Sequence, residues 1–162
     1  MRAGDLGQPP TSWAYRFLDG GLLMQDADIL PDPEGDWKVV TEAQPTEAQL
    51  ADLRFGWAIV RHVKSNAIVL CKGRMLLGTG AGQMSRVDST EIAIKKAGDR
   101  AAGSVMASDA FFPFPDSIEK AAAAGVAAVI EPGGSVKDAE AIAACNRFRL
   151  PMIFTGRRHF KH

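Results

Sequence analysis

Short apolar runs alternate with helix-patterned segments from about residue 67 onward. Each run is only four or five residues long and is bounded by glycine, proline or charged residues, which is typical of a strand. Because short apolar strands that alternate with helices pack as stacked layers, the alternation predicts an α/β fold. The predicted strands are 67–71, 74–77, 126–130 and 152–155, and the later predicted helices are 117–124 and 136–148.

An earlier helix is predicted from Glu47 to Lys64, directly after Pro45. Thr46 and Gln49 have the spacing of a capping box, in which each side chain bonds the other residue's backbone N–H. The apolar residues that follow recur at helical spacing and predict one buried face. They are Leu50, Leu53, Trp57, Ile59, Val60 and Val63.

A tight turn and a further helix are predicted in the middle of the chain. Lys72-Gly73 separates the first two apolar runs, a pattern typical of two strands joined by a turn. Residues 79–82 end this pattern, and the segment Asp88–Thr90 can cap a helix from about Glu91 to Ala101.

The first 45 residues differ from the rest in composition. They hold five of the nine prolines, at positions 9, 10, 31, 33 and 45. Short apolar bursts at Tyr15–Leu18 and Leu22–Met24, separated by Gly20-Gly21, predict two short strands. Because 162 residues fit one domain, we expect a single domain over 1–162, with a lead-in at 1–45 and a core at 46–162.

Charge and cysteine content exclude several classes of protein. Lys plus Arg equal Asp plus Glu at 19 each, so no basic excess indicates a nucleic-acid partner. Cys71 and Cys145 lie far apart in apolar stretches, which predicts buried reduced thiols. The start, Met1–Asp5, lacks the apolar core of a signal peptide, and no run approaches the roughly 18 apolar residues that span a bilayer. We therefore expect a cytoplasmic protein with no membrane partner.

Common catalytic and phosphate-binding motifs are absent, including the P-loop, His-Glu-x-x-His, Gly-x-Ser-x-Gly and Cys-x-x-Cys. Gly78–Gly82 resembles a dinucleotide-binding fingerprint, but its third glycine would fall at Gln83. The alternative is that these glycines allow a sharp turn at the end of a strand.

Polar residues gather in two segments that connect predicted elements. Asn66 follows Ser65 where the first helix gives way to a strand; it can end the helix or direct its amide at a substrate oxygen. Residues 108–116 place three phenylalanines, two carboxylates and two prolines in one loop. Such a loop can belong to the core or can line a pocket for a flat heterocycle.

Two further segments are candidates for binding charge. Pro132–Ser135 precedes a predicted helix, so its backbone N–H groups can bind an anion, or Ser135 can be an ordinary N-cap. Arg157–His162 is a basic segment after an apolar strand, and on its own it indicates only a solvated tail.

Taken together, these segments resemble the C-terminal part of the AICAR transformylase domain, found in the bifunctional purine-biosynthesis family that also carries inosinate cyclohydrolase. AICAR is aminoimidazole carboxamide ribotide. The resemblance is nearly continuous and is carried by residues 19–26, 44–47, 63–69, 80–89, 107–114, 132–135 and 158–162.

The resemblance implies a fold and a reaction. The family's transformylase region consists of two cytidine-deaminase-like subdomains, and this chain resembles the second: a three-layer α/β domain with a mixed central sheet and no zinc site. The reaction moves a formyl group from 10-formyltetrahydrofolate to the 5-amino group of AICAR. The active site is shared across a dimer interface, so the implied partners are AICAR, the folate, and a second copy or companion chain.

The resemblance also implies roles for individual residues. Asn66 would polarise the formyl oxygen, and His162 would belong to the catalytic site. Arg158 would contact the nucleotide phosphate, and Phe160 would lie near the base. The remaining residues implied in the folate and nucleotide pocket are Phe111, Phe114, Asp116, Gly134 and Ser135.

This sequence departs from the family at two points. Pro115 stands where the family usually has arginine, which alters the freedom of the phenylalanine loop. The family's catalytic Lys-His pair lies in the first subdomain; the only Lys-His dipeptide here, Lys161-His162, matches the family's terminus instead. Three hypotheses follow: one half of a split transformylase that needs a companion chain, a non-catalytic nucleotide- or folate-binding or regulatory module, or a remnant or excised fragment whose pocket has no present use.

Overall fold

The computed structural model describes residues 13–29 and 32–162. Contacts divide the chain into two compact units, Met1–Asp32 and Pro33–His162. Residues 1–12 and 30–31 of the predicted lead-in, including Pro9, Pro10 and Pro31, lie outside the described residues. That the whole chain forms one folding domain stays a prediction.

The first unit contains a β-hairpin. Strand β1 (Trp13–Leu18) pairs antiparallel with β2 (Gly21–Asp26) in continuous register from Trp13↔Asp26 to Leu18↔Gly21. Gly20 adopts φ 75°, a conformation that glycine reaches without steric cost. The two predicted strands and their glycine turn are confirmed, and each strand is longer than predicted.

A mixed six-stranded sheet forms the centre of the second unit, which confirms the predicted α/β class and mixed sheet. Its strands are β3 (Lys38–Val39), β4 (Ile68–Lys72), β5 (Met75–Gly80), β6 (Val105–Ser108), β7 (Ala128–Glu131) and β8 (Met152–Phe154). The strand order is β3-β8-β7-β6-β4-β5. Strands β6, β7 and β8 run parallel, whereas β3 pairs antiparallel with β8, and β4 pairs antiparallel with both β5 and β6.

Helices cover both faces of this sheet and give three layers. The helices are α1 (Glu47–Val60), α2 (Arg86–Ala97), α3 (Asp116–Ala123) and α4 (Asp138–Arg147), with 3-10 helices at Glu34–Asp36 and Gly98–Ala101. Helix α1 packs on one face, and α2, α3 and α4 pack on the other. Along β7, Ile130 lies on the α1 side and Val129 on the opposite side, as the two-residue period of a strand requires.

Helix α1 begins as predicted but ends earlier. The Gln49 backbone N–H donates to Thr46 Oγ1 at 3.2 Å and the Thr46 N–H donates to Gln49 Oε1 at 2.8 Å, which confirms the capping box. The predicted end at Lys64 is wrong, since the last helical residue is Val60. The Lys64 carbonyl accepts a hydrogen bond from Gly82 instead of continuing the helix.

The glycines at 78–80 do not form the predicted turn. Gly78 and Gly80 lie within β5, which extends three residues beyond the predicted strand. A Cβ atom at Gly78 would lie 2.1 Å from the Ala93 carbonyl oxygen, and one at Gly80 would lie 1.9 Å from that of Ser89. Their function is to let α2 approach the sheet, and the chain turns only at Gly82, with φ 66°.

Helix α2 and strand β6 differ from the sequence prediction. Ser85, not Asp88–Thr90, caps α2 by accepting from the Asp88 N–H at 3.2 Å, so the helix begins at Arg86. The predicted start of this helix at Glu91 is therefore wrong. The last turn of the predicted helix is instead the 3-10 helix Gly98–Ala101. Strand β6 was not predicted, although all four of its residues are buried in the middle of the sheet.

The remaining elements agree with prediction to within one or two residues at most ends. Both cysteines are buried and free, as predicted. Burial raises the pKa of each thiol to about 12, with smaller contributions from Asp52 at Cys71 and from Glu131 at Cys145. Both thiols are therefore neutral at physiological pH. Within residues 13–29 and 32–162, no helix is both long and apolar enough to cross a bilayer.

Candidate functional site

A cleft of about 500 Å³ lies at the end of the six-stranded sheet where β4 begins and β6 ends. Four segments meet there: the start of β4, the end of β6, the first turn of α2 and the segment after β8. They meet because β4 runs antiparallel to β6, whereas β8 runs parallel to β7 and β6. Ligand sites of α/β sheets commonly lie at the carboxyl ends of parallel strands. The lining residues are Asn66, Met84, Ser85, Arg86, Val87, Ala110, Phe111, Pro113, Phe114, Asp116, Arg158 and Phe160.

Asn66 lies in the cleft wall with both ends of its amide bonded. Its Nδ2 donates to the Gln83 carbonyl oxygen at 2.8 Å, and its Oδ1 accepts from Arg86 at 2.9 Å. Its backbone carbonyl accepts from the Ser89 hydroxyl at 2.8 Å. An Nδ2 group carries two protons, and one is used in the bond to Gln83. The amide is therefore held rigidly and has one further N–H to offer.

A buried ion pair stands behind Asn66. Arg86 Nη1 donates to Asp109 Oδ1 and, at 3.0 Å, to the Ser108 hydroxyl. Asp109 is fully excluded from solvent, and the Arg86 side chain is 6% exposed. Asp109 Oδ1 also accepts from the Ala67 N–H at 3.1 Å, which joins the end of β6 to the start of β4. Since a buried charge is tolerated only when paired, each member fixes the other, and Arg86 in turn fixes Asn66.

The same carboxylate connects the cleft to residues 157–162. Asp109 Oδ2 accepts from the Ser65 hydroxyl at 2.5 Å, and that hydroxyl oxygen accepts from the Lys161 N–H at 3.1 Å. The Ser65 N–H donates to the Lys161 carbonyl at 2.8 Å, and the His159 N–H donates to the Asp109 carbonyl at 2.9 Å. His159 is buried, with its ring 4.9 Å from that of Trp57. This segment is thus anchored, which is more than a solvated tail requires.

The phenylalanine loop divides between core and cleft. Phe112 is buried in the core, whereas Phe111 and Phe114 line the cleft. Pro115 stands at the N-cap of α3 with φ −75°, so proline fits this position. Lys137 lies over the Phe114 ring at 4.3 Å from its centre. Asp116 lines the cleft and accepts from the Ser117 N–H at 2.7 Å.

Arg158 and Phe160 form the basic and aromatic end of the cleft. The Arg158 guanidinium lies 5.1 Å from the centre of the Phe160 ring, and both residues are exposed. The ring of His162 lies 5.8 Å from that of Phe160, but His162 does not line the cleft. Its predicted catalytic role stays a prediction.

The turn before α4 differs from the predicted anion site. The N–H groups of Gly134 and Ser135 donate to the Asp138 carboxylate at 2.8 and 3.0 Å, and the Gly133 N–H donates to Glu131 at 2.7 Å. The carboxyl oxygens of Asp138 and Glu131 therefore accept from the backbone N–H groups that were expected to face outward. Neither Gly134 nor Ser135 lines the cleft, and α4 begins after Lys137, so Ser135 is not its N-cap.

A second buried carboxyl group lies at the same end of the sheet, on the inner strand β7. Glu131 ends β7, is fully buried, and leaves its Oε1 without a hydrogen-bond partner. The pKa of Glu131 is raised to about 8, mainly by burial; the Gly133 N–H lowers it, Asp138 raises it and Arg86 lowers it. Glu131 is therefore protonated through most of the neutral range.

Arg86 is the main site residue that sequence reasoning missed. A signal was available, because Asp109 directly follows a buried strand and a buried carboxylate requires a cation or several donors. The sequence offered no means of choosing Arg86 among 19 basic residues. Among the described residues, no cluster of three or more His, Cys, Asp or Glu side chains could hold a metal ion.

The cleft combines three chemical properties. The Asn66 amide, which Arg86 holds in place, has an N–H donor of the kind that stabilises a developing oxyanion. Phe111, Phe114 and Phe160 offer aromatic surface for planar rings. Arg158 offers an exposed cation that suits a phosphate group.

The family model and the most similar relatives point to the same family. The model of the AICARFT/IMPCHase bienzyme family matches residues 1–96. The bifunctional purine biosynthesis protein PurH of Rhodopirellula baltica is 58% identical over 162 residues, which is 100% of this chain and 31% of that protein. The PurH of Desulfitobacterium hafniense is 56% identical over 157 residues, 96% of this chain and 30% of the relative.

The chain thus spans about 30% of the length of these relatives. Among solved structures, RibD of Acinetobacter baumannii is similar with a TM-score of 0.43 and 15% identity, over 64% of this chain and 33% of that one.

Proposed function

This chain belongs to the AICARFT/IMPCHase bienzyme family, and on that premise we propose that it supplies one half of a transformylase active site in purine biosynthesis. The reaction is formyl transfer from 10-formyltetrahydrofolate to AICAR. One observation carries the proposal: Asn66, the phenylalanine loop and Arg158 with Phe160 line a single cleft. We further propose that the second unit is the family's second subdomain, with a cytidine-deaminase-like arrangement.

The chemistry needs positioning more than a strong nucleophile. The lone pair of the AICAR 5-amino group is delocalised into its ring and carboxamide, so the amine attacks only when held against the formyl carbon. The amine nitrogen attacks the formyl carbon and gives a tetrahedral intermediate, in which negative charge develops on the formyl oxygen. Collapse of this intermediate breaks the bond from the formyl carbon to the folate nitrogen. The amine loses a proton and the folate nitrogen gains one.

Asn66 and Arg158 have separate roles in this proposal. Asn66 directs its remaining Nδ2 proton at the formyl oxygen, and Arg86 acts as a positioning residue that keeps the amide from rotating. Arg158 binds the ribotide phosphate, and Phe160 lies against the base. Phe111, Phe114 and Asp116 receive the folate.

The proton transfer is assigned to a companion chain. Lys161-His162 is the only Lys-His dipeptide in the sequence, and His162 lies outside the cleft lining. We propose that the family's first subdomain, with its Lys-His pair, comes from a separate polypeptide and that the assembled enzyme is a dimer. The buried free thiols fit a cytoplasmic location, where cysteines stay reduced.

Reconstitution tests the proposal. The chain would be mixed with a recombinant polypeptide comprising the part of the Rhodopirellula baltica relative outside the match, and formylation of AICAR followed by release of tetrahydrofolate. We expect turnover from the mixture and none from either component. Turnover by this chain alone would refute the need for a companion, and an inactive mixture would refute the half-site assignment.

A non-catalytic binding module is the second candidate. One observation favours it: both ends of the Asn66 amide already bond within the chain, as a purely structural residue would. The module predicts binding of AICAR or folate by this chain and no turnover in the mixture. Absence of a neighbouring reading frame for the missing half would also favour it.

A further inference from the structure

The side chain of Glu131 lies on the same face of the sheet as α2, from which Arg86 comes. Val129 packs on the side of α2, α3 and α4, and Glu131 follows two residues later on β7, so both side chains share that face. Strands β6 and β7 pair in parallel register up to Ala107↔Ile130. The next residues in that register are Ser108 and Glu131, which are therefore neighbours on one face.

Ser108 is the point at which Arg86 contacts this row of side chains. Arg86 Nη1 donates to the Ser108 hydroxyl at 3.0 Å and to the Asp109 carboxylate, and Nη2 donates to Asn66 Oδ1 at 2.9 Å. The guanidinium thus has one charged acceptor and two neutral ones. Because a hydrogen bond to a carboxylate is roughly twice as strong as one to a neutral oxygen, a second carboxylate nearby would compete first with the neutral acceptors, Ser108 and Asn66.

The Glu131 carboxyl group is held at one oxygen only. Its Oε2 accepts from the Gly133 N–H at 2.7 Å, whereas its Oε1 is buried without a hydrogen-bond partner. A neutral acid tolerates this arrangement better than a carboxylate does, because an ionised oxygen in a buried site requires donors or a cation.

The groups around this carboxyl determine where it would turn if it ionised. Arg86 of α2 attracts its negative charge, and Asp138 at the start of α4 repels it. Cys145 of α4 is also close enough to interact, but burial raises the pKa of that thiol to about 12 and keeps it neutral. The neighbours of Glu131 on β6 and β8, Ser108 and Phe154, do not ionise, and Asp116 at the start of α3 lines the cleft. An ionised Glu131 would therefore be drawn toward Arg86.

We propose that Glu131 is a further positioning residue of the cleft: as a neutral acid it leaves Arg86 bonded to Asn66, and after losing its proton to solvent it draws the guanidinium away from that amide. Asn66 then keeps its bond to the Gln83 carbonyl but loses the one that prevents rotation. The consequence for formyl transfer rests on the proposed function, in which Asn66 must stay directed at the formyl oxygen. The pKa of Glu131 is about 8, so the amide is held at neutral pH and released above it.

Nuclear magnetic resonance of the full chain tests this coupling without any substrate. The side-chain amide resonances of Asn66, identified by their absence in Asn66→Asp, would be followed between about pH 6 and 10 together with the carboxyl carbon of Glu131. We expect both to shift with one midpoint near pH 8, and the Asn66 resonances of Glu131→Gln to stay constant. Glutamine has the shape of the neutral acid and can still accept from the Gly133 N–H, so this variant should fold. Glu140→Gln, on the exposed side of α4, is the control and should titrate like the unsubstituted chain.

Three outcomes would overturn the proposal. They are Asn66 resonances that stay constant while the Glu131 carbon titrates, the same Asn66 titration in Glu131→Gln, and a Glu131 carbon that does not titrate up to about pH 10. Circular dichroism over the same range would establish that the shifts occur in the folded chain.

Turnover of the reconstituted enzyme separates this proposal from the proposed function. With a pKa of about 8, the ionised fraction of Glu131 rises about ninefold from pH 7 to 9, and we expect turnover to fall up to about ninefold relative to Glu131→Gln. Coupled resonances with an inactive reconstituted enzyme would refute only the half-site assignment. An active enzyme whose pH profile is the same with and without Glu131→Gln would refute only the positioning role of Glu131.

Discussion

Arg86 and Asp109 form a buried ion pair that joins the first turn of α2 to the end of β6. Through this pair, two residues separated by 23 positions in sequence fix the amide of Asn66 in the cleft wall. The pair also connects to residues 157–162 through Ser65. The wall of the candidate site is therefore one hydrogen-bonded unit, and its members should respond to substitution together.

Asp109→Asn should cost about 3 kcal/mol of unfolding free energy, because it leaves the Arg86 cation buried without its counter-charge. Urea unfolding at neutral pH would measure the loss. Glu34→Gln is the control, since it breaks the exposed Arg54–Glu34 pair at 2.7 Å and should cost less than about 1 kcal/mol. A similar small cost for both variants would contradict a structural role for the buried pair.

Glu131→Gln should change how stability depends on pH. Burial raises the folded-state pKa of Glu131 to about 8 from 4.5, so the folded protein retains a proton that the unfolded chain releases. Stability from this group is full below pH 4.5 and is lost progressively as pH rises to about 8. The glutamine variant stays neutral, so its advantage in melting temperature should grow over that range and level off above it. The melting temperatures of the two proteins would be measured between pH 5 and 9 in steps of about one pH unit. A difference in melting temperature that stays constant over this range would refute the raised pKa. Glu140→Gln, on the exposed side of α4, is the control.

Asn66→Asp should separate positioning from chemistry. The carboxylate can still accept from Arg86, but it loses both Nδ2 protons, the one bonded to the Gln83 carbonyl and the one that the proposal directs at the formyl oxygen. We expect turnover of the reconstituted enzyme to fall about 100-fold while the chain still folds. Gln83→Ala is the control because Asn66 bonds the backbone carbonyl of Gln83 and not its side chain. Equal losses of melting temperature and turnover would show that Asn66 is structural.

Arg158→Ala should weaken AICAR binding about 10- to 100-fold through loss of a charge-assisted contact to phosphate. Calorimetric titration in the reconstituted enzyme would measure the change. Lys161→Ala removes a neighbouring charge but keeps the backbone bonds of that residue to Ser65, so it should bind AICAR normally. Unchanged affinity in Arg158→Ala would remove this arginine from the site.

Gly80→Ala should destabilise the second unit by about 3 kcal/mol or more, because the added Cβ would lie 1.9 Å from the Ser89 carbonyl oxygen. The Ser89 carbonyl and the Cα of residue 80 both belong to packed backbone, so neither can move cheaply. Gly35→Ala is the matched control, since a Cβ there meets no atom within 4 Å. Comparable urea midpoints for the two variants would show that α2 can shift away from β5.

Local patterns in the sequence were sufficient for most of the elements. The Thr46–Gln49 capping box, the Gly20 turn and the alternation of apolar runs with helices each depend on residues close together in the chain. Predictions failed where a distant contact decided the outcome. Helix α1 stops at Val60 and the Lys64 carbonyl bonds Gly82, and Gly80 belongs to a strand because α2 lies against it.

The sequence by itself determined the α/β class, the buried thiols, the resemblance to the family and the residue types available for a site. Only the tertiary structure decided that Arg86 is the partner of Asp109, that the turn at Gly134 is occupied by Asp138, and that Glu131 is buried without a full set of hydrogen bonds. The reason is physical: helix and strand patterns arise from neighbours in sequence, whereas the pairing of a buried charge depends on which segments the sheet order brings together.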